Sequence, residues 1–534
     1  MRVLLLFAPG WSFSTGSPHV ALPLLKSWLQ LHGHEVRVRD LNWESGLRAG
    51  VGLPAAAARR ACTTPLLESM NEPFFAAEDV LMERAARYGG IWNAQLGFEY
   101  AGAPHESSGE ALASLDRPSP FDGLFDEVVR EAVAESPGLI GFSVAAVQQV
   151  IPTLQLCARL RRAGFPGRIV LGGNTVSRLV EEMAIPAVFD LVDGLLTFEG
   201  EMPLLRLCDA VAAGSSFASV PHLAWRDGTE MRRNNHDERL DPDALTAPDF
   251  SDLAVGRYWG ENYLTLVGAR GCYYGKCNFC AIPYGWGHNG YAGTRTVDRV
   301  YQDMLALIER HDINRFKFVD EALSPRFMRE LANRILAGGL IVEWEGYTRL
   351  EAAWHDPDFV DLVGRAGFRK GYFGLELLPA PGRTALNKHD HADPERLLDL
   401  CAASGVKVHL FCMFGYPGTG EAEAARTVEF LLNHRHLVDT ADIFAWGYAK
   451  HTSVTGAEPM RDARRDWGLE FDYVATRSDT LSRSAVEALA SKYEELIWAE
   501  VPRFVHPTYR LISPWSQQSP AKAPDAYAAE RVPA

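Results

Sequence analysis

Gly271-Cys272-Tyr273-Tyr274-Gly275-Lys276-Cys277-Asn278-Phe279-Cys280 places three of the chain's eight cysteines within nine residues. The stretch follows a short apolar run, Tyr263-Leu264-Thr265-Leu266-Val267, that reads as a strand. A strand that delivers three thiolates onto one loop reads as a metal or iron–sulfur site rather than as scattered buried cysteines. No second Cys/His pair stands nearby at zinc-ribbon or zinc-finger spacing, which favours iron–sulfur over zinc. C-x4-C-x2-C with a distant fourth Cys is also the plant-type two-iron ferredoxin pattern. The next cysteine, Cys401, lies more than a hundred residues on in a helical pattern, so no fourth ligand is obvious. Three ligands on a cubane would leave one iron open, and an open iron is what catalysis needs.

Downstream of this loop, strands and helices alternate. Candidate strands are Leu264–Val267, Arg315–Val319, Val342–Tyr347, Gly371–Leu375, Lys407–Phe414 and Asp442–Tyr448, with helices between them. Six β/α units imply a partial TIM-like (β/α)6 barrel with its active face at the carboxyl ends of the strands. Charged residues gather at those ends: Asp320 and Glu321, Arg349 and Glu351, and Glu376. Each also has a plain reading as a helix cap or surface ion pair.

Upstream, strand Val3–Phe7, a helix from about Val20 to Leu31 and strand Glu35–Asp40 form a β-loop-α-β unit. The pattern resumes at Leu139-Ile140-Gly141-Phe142-Ser143, at Arg168–Leu171 before Gly172-Gly173-Asn174, and at Leu191–Leu196 before Glu199-Gly200-Glu201. This predicts a doubly wound, Rossmann-like parallel sheet, whose ligands sit beyond the carboxyl ends of the strands. The domain organisation expected is a Rossmann domain over 1–214 with a mostly helical insertion at about 45–130, and a linker over 215–250. The barrel then covers 251–452, a C-terminal cap 453–515 and a disordered tail 516–534.

The chain has 534 residues, enough for about three domains, with a formal net charge of −15. That charge argues against a nucleic-acid or anionic-membrane footprint. No apolar run reaches the roughly 18–20 residues of a membrane span. Cysteine usage shows no disulfide framework, which suggests a reducing cytoplasm.

Ala269-Arg270-Gly271-Cys272, continuing through Cys277-Asn278-Phe279-Cys280, resembles the cluster loop of the radical S-adenosylmethionine (SAM) enzymes. Phe318-Val319-Asp320-Glu321, Phe373-Gly374-Leu375-Glu376 and Phe414-Gly415-Tyr416-Pro417-Gly418-Thr419 resemble the subfamily with an N-terminal cobalamin-binding domain. The resemblance covers roughly residues 1–40 and 135–450. Two departures stand out. One extra residue separates Cys272 from Cys277 relative to the prevailing C-x3-C-x2-C, up to about 3.5 Å of added reach that a loop can absorb. The N-terminal domain also lacks Asp-x-His-x-x-Gly. Cobalt is then held without that histidine, or cobalamin binding has been lost.

The resemblance implies a [4Fe–4S] cluster on Cys272, Cys277 and Cys280, with the open iron chelating SAM. It places Asp320 or Glu321 at the SAM ammonium, Arg349 at its carboxylate and Glu376 at the ribose. Cobalamin would lie at Ser143, Gly172, Gly173, Asn174, Glu199, Gly200 and Glu201. The implied activity is methyl transfer to an unactivated carbon of a small-molecule or peptide substrate by way of a 5′-deoxyadenosyl radical. Electrons would come from an external donor such as flavodoxin or ferredoxin. A non-methylating rearrangement, cyclisation or oxidation is the alternative, and an iron–sulfur electron carrier a third reading. After residue 446 the chain is aromatic (Trp446, Tyr448, Tyr473, Trp498, Phe504, Tyr509, Trp515), suited either to capping the barrel mouth or to a satellite core. Tyr448, read as the end of the last strand, is the substrate-side candidate.

Overall fold

A computed structural model describes residues 1–11, 18–48, 82–93, 97–238, 240–255, 258, 263–285, 291–378, 386–388, 393–501 and 504. Two sheets organise them. The first consists of β1 (Arg2–Phe7), β2 (Glu35–Asp40), β3 (Leu139–Ser143), β4 (Arg168–Gly172), β5 (Gly194–Leu196), β6 (Leu223–Asp227) and β7 (Glu230–Arg233). Their spatial order is 2-1-3-4-5-6-7, parallel through β5, with β6 and β7 added antiparallel. Part of the expected linker, 215–250, is thus an extension of this sheet.

Chemistry explains why β1 is an interior strand. Val3, Leu5 and Phe7 join one hydrophobic core while Leu4 and Leu6 join another, so both faces are covered by helices. A strand buried on both faces reads as a continuous apolar run, as Val3–Phe7 does. The order reverses between β1 and β3, the topological switch point where such sheets bind ligands.

The expected insertion at about 45–130 lies partly outside the described residues. Its described part includes an antiparallel hairpin, Gly90–Asn93 with Gly97–Tyr100, besides the helices Ser108–Ala113 and Asp122–Glu135.

The second sheet holds six parallel strands: β8 (Leu264–Leu266), β9 (Arg315–Phe318), β10 (Glu343–Thr348), β11 (Phe368–Glu376), β12 (Lys407–Phe414) and β13 (Thr440–Ala445). They pair strictly in chain order. Leu266, Phe318, Trp344, Phe373 and Leu410 point outward into one core shared with the covering helices. Three of those helices begin the same way, with Ser324, Asp356 or Asp393 accepting a bond from a backbone N–H of the first turn and proline at the next position. Proline there sacrifices only an N–H that has no helical partner, which fixes where each helix starts.

The last barrel strand ends at Ala445, short of the expected Tyr448. Gly447 intervenes, and Tyr448–Ala449 instead pairs antiparallel with Glu470–Ala475, which also pairs with Ala457–Met460. Helix Arg483–Glu500 then packs Leu489, Tyr493 and Ile497 into the outer core of the barrel. The expected tail, 516–534, falls outside the described residues.

Candidate active site

The three cysteines sit on the loop that leaves Ala269–Gly271, a short strand paired antiparallel with Tyr291–Thr294. Gly271 (φ +79°) and Gly275 (φ +61°) take the left-handed conformation that lets this loop turn twice. All three side chains are partly exposed. Burial pushes the Cys277 thiol up to about 11 and the Cys280 thiol up to about 12. Among the described residues no three His, Cys, Asp or Glu side chains converge to hold a single ion.

The extra residue between Cys272 and Cys277 is accommodated by contacts from the barrel. Tyr273 donates its hydroxyl to Glu351 at 2.7 Å, and Tyr274 donates to the Asn387 carbonyl at 2.5 Å. The Arg349 guanidinium lies 3.5 Å from the Tyr274 ring centroid, and its Nη1 is 3.6 Å from Glu351. Asn387 Nδ2 donates to the Lys276 carbonyl at 2.7 Å. Arg349, expected at the SAM carboxylate, thus braces the cysteine loop. It remains close enough to influence Cys277 electrostatically.

Asp320, expected as a SAM ligand, has its carboxylate occupied by the protein. Gly268 N–H donates to both of its oxygens at 3.1 and 2.9 Å, and Ala269 N–H donates to Oδ1. Burial pushes its carboxyl up to about 7 against the pull of these bonds. Asp320 anchors the root of the cysteine loop. Glu321 is half-buried, faces the cavity described below, and is near enough to raise the Cys280 thiol further. Glu376 adopts φ +63°, uncommon for a residue with a side chain, at a bulge in β11. Lys388 holds its Oε1 at 2.7 Å and the Gly374 carbonyl at 2.6 Å.

Between the carboxyl ends of the first sheet and the barrel lies a cavity of about 360 Å³. Ser143, Gly172, Gly173, Asn174, Glu199, Gly200 and Glu201 all line it, together with Val319, Glu321 and Arg270 of the barrel side. Seven residues on three separate loops therefore meet at one wall. Gly173 is required there: its φ is +100°, and a Cβ would come within 2.6 Å of the Val144 carbonyl oxygen. Glu201 has a further partner. Arg270 Nη1 donates to its Oε2 at 2.8 Å and Nη2 to its Oε1, while Glu199 lies 3.7 Å from Nη1. Burial would raise the Glu201 carboxyl, but Arg270 holds it below the usual carboxylate range. This ion pair ties the cavity wall to the residue two positions before Cys272.

Sequence reasoning missed Arg270, Lys388 and His19. His19 follows β1, lines the cavity and stacks on Phe7 with ring centroids 4.9 Å apart. Its pKa is lowered to about 4 by burial, so the imidazole is neutral near pH 7. Of the aromatic run after 446, Trp446, Tyr448 and Tyr473 form a satellite core with Leu386, Met413 and Tyr416, and Phe279 of the cysteine loop rests against them. Tyr448 is 9% exposed within that core. Phe504 instead joins the outer core of the barrel, Trp498 is exposed, and Tyr509 and Trp515 lie outside the described residues.

No protein-family model matches the chain. A tryptophan 2-C-methyltransferase of Streptomyces laurentii is 28% identical over 224 residues, covering 38% of this chain and 35% of that protein. The match thus spans about a third of the length of the curated relative. Among solved structures, the radical SAM methyltransferase TsrM from Kitasatospora setae, with tryptophan and a SAM analogue bound, superposes with a TM-score of 0.61. Identity is 15%, over 96% of this chain and 90% of that one. The cobalamin-dependent SAM radical enzyme OxsB, with aqua-cobalamin and SAM bound, gives 0.62 at 12% identity over 93% and 66%. The chain therefore has the fold of these two enzymes along nearly its whole length. Among the described residues no helix is long and apolar enough to cross a membrane.

Proposed function

We propose that the chain is a cobalamin-dependent radical SAM enzyme that transfers a methyl group to a carbon atom of a small-molecule or peptide substrate. The observation that carries this is the cavity between the switch point of the first sheet and the root of the three-cysteine loop. A [4Fe–4S] cluster on the cysteine loop, with SAM beside it and cobalamin at the cavity, would supply one-electron cleavage of SAM and a transferable methyl group.

The chain's own residues do the positioning. Cys272, Cys277 and Cys280 would hold the cluster; Glu321, facing both the cavity and Cys280, is placed for the SAM ammonium. Arg349 offers the SAM carboxylate a cation already fixed on the Tyr274 ring. Gly172 and Gly173 keep the wall free of side chains where a corrin must approach, and Ser143 and Asn174 present hydrogen-bonding groups. His19 offers a neutral imidazole on the same wall. Methyl transfer is preferred to rearrangement because the curated relative bears a C-methyltransferase name, and that name makes an indole carbon a natural acceptor to try. The reading places the protein in a reducing cytoplasm with a flavodoxin- or ferredoxin-type donor.

Anaerobic reconstitution with iron, sulfide and hydroxocobalamin tests it. Near-stoichiometric corrin and about four irons per chain are expected. Ser143→Trp, which fills the cavity wall, should lose the corrin and keep the iron. Uptake of corrin unaffected by that change would contradict the assignment.

A further inference from the structure

The barrel lumen carries a feature that the cofactor residues do not use. Strand alternation turns Lys317, Val319, Tyr347, Tyr372, Phe411 and Phe444 inward, opposite to the neighbours that join the outer core. Tyr347 and Phe411 rings lie within 12° of parallel with centroids 6.0 Å apart, and Phe411 and Phe444 within 26° at 6.3 Å. Three strands thus contribute one slatted wall of aligned rings.

Below the rings lie polar groups that contact one another. Lys317 Nζ is 3.2 Å from Glu345, Tyr372 donates to the same carboxylate at 3.2 Å, and His409 Nδ1 is 2.7 Å from Thr440 Oγ1. What a ligand entering the lumen meets along these strands is ring surface, with the Lys317 ammonium 5.9 Å from the Tyr347 ring centroid. Phe444 is 46% exposed and Val319 39% exposed, so the described residues leave apolar surface open at this end of the lumen. The wall also leads to the candidate chemistry. Val319 lines the interdomain cavity, and Arg349, two residues beyond Tyr347, rests on the cysteine loop.

We propose that Tyr347, Phe411 and Phe444 form the substrate site and that it selects a flat aromatic ring system. A planar ring can lie in offset or edge contact along aligned rings, whereas a puckered ring of the same size loses most of those contacts. Phe444 sets the open end of the site and Phe411 its middle. This deepens the methyl-transfer reading and rests on it for the claim that the bound ring is the acceptor.

The test uses the full chain reconstituted with iron, sulfide and hydroxocobalamin, and two neutral probes of equal size, 2-naphthol and decahydro-2-naphthol, titrated calorimetrically. The flat probe should bind at least tenfold more tightly. Phe444→Leu and Phe411→Leu should each weaken it by roughly three- to tenfold while leaving the saturated probe unchanged. Corrin absorbance, measured on the same samples, should be unaltered. Equal binding of the two probes, or flat-probe binding indifferent to both substitutions, overturns the inference. A chain that takes up no corrin yet binds 2-naphthol through Phe444 would remove the methyl-transfer reading and leave the ring site standing.

Discussion

Replacing Glu201 by alanine should do more damage than its place on a cavity wall suggests. Glu201 is 3% exposed and Arg270 is 7% exposed, and two hydrogen bonds join them across the two domains. Truncating one member of a buried ion pair typically costs about 3–5 kcal/mol, because the remaining charge stays desolvated. Glu199, 3.7 Å from Arg270, compensates in part, so the lower end, about 3 kcal/mol, is expected here. Replacing both partners by methionine removes the stranded charge and should cost less than Glu201→Ala alone. The assay is urea denaturation of the cofactor-free chain near pH 7, following the two domains by separate probes, since a chain of this size need not unfold in one step. A loss below about 1 kcal/mol for Glu201→Ala, or a double variant as unstable as the two singles added, would refute the reasoning.

Other expectations follow from the same contacts. Burial raises the Asp320 carboxyl to about 7 in the folded chain, above its unfolded value near 4, so the folded state binds the extra proton between those pH values. Its contribution is therefore complete below pH 4 and lost as pH rises through 7, with a slope of up to about 1.4 kcal/mol per unit. Asp320→Asn should flatten that part of a stability–pH profile, and an unchanged profile would exclude the assignment. Tyr274→Leu removes the ring beneath Arg349 and the bond to Asn387. Iron should then be lost to a chelator several-fold faster, and equal rates would show that these braces are idle. Gly173→Ala meets both a positive φ and the Val144 carbonyl, so it should destabilise the first domain by more than about 1 kcal/mol and reduce corrin uptake, measured by thermal melt and absorbance.

The sequence made the architecture legible where local pattern and tertiary burial agree. Val3–Phe7 is apolar throughout because both its faces are covered, and the helices of the barrel announce themselves through Ser-Pro and Asp-Pro starts. The cysteine loop was legible because few other uses put three thiols within nine residues. The glycine-rich strand ends were legible as a group, and all seven named cavity residues reach one wall. Contacts between distant segments left no such mark. Arg270 and Glu201 are 69 positions apart, and neither residue advertises the other. Asp320 carried a charge at a strand end that fitted a cofactor ligand equally well as a backbone anchor, and only the Gly268 and Ala269 donors distinguish the two. Tyr448 misled because Phe444, Trp446 and Tyr448 continue the alternation of β13, although the ladder stops at Ala445 and the chain turns into a small antiparallel sheet. Periodicity reports which residues could share a face; it does not report where hydrogen bonding stops.

The central claim is tested most directly by incubating the reconstituted enzyme anaerobically with reductant, methyl-labelled SAM and a flat aromatic acceptor such as indole, then resolving products by mass spectrometry. S-Adenosylhomocysteine together with label on a carbon of the acceptor is the expected result. Fully loaded enzyme that yields neither S-adenosylhomocysteine nor labelled acceptor with any ring it binds would contradict methyl transfer. 5′-Deoxyadenosine alone under those conditions would point to the non-methylating alternative.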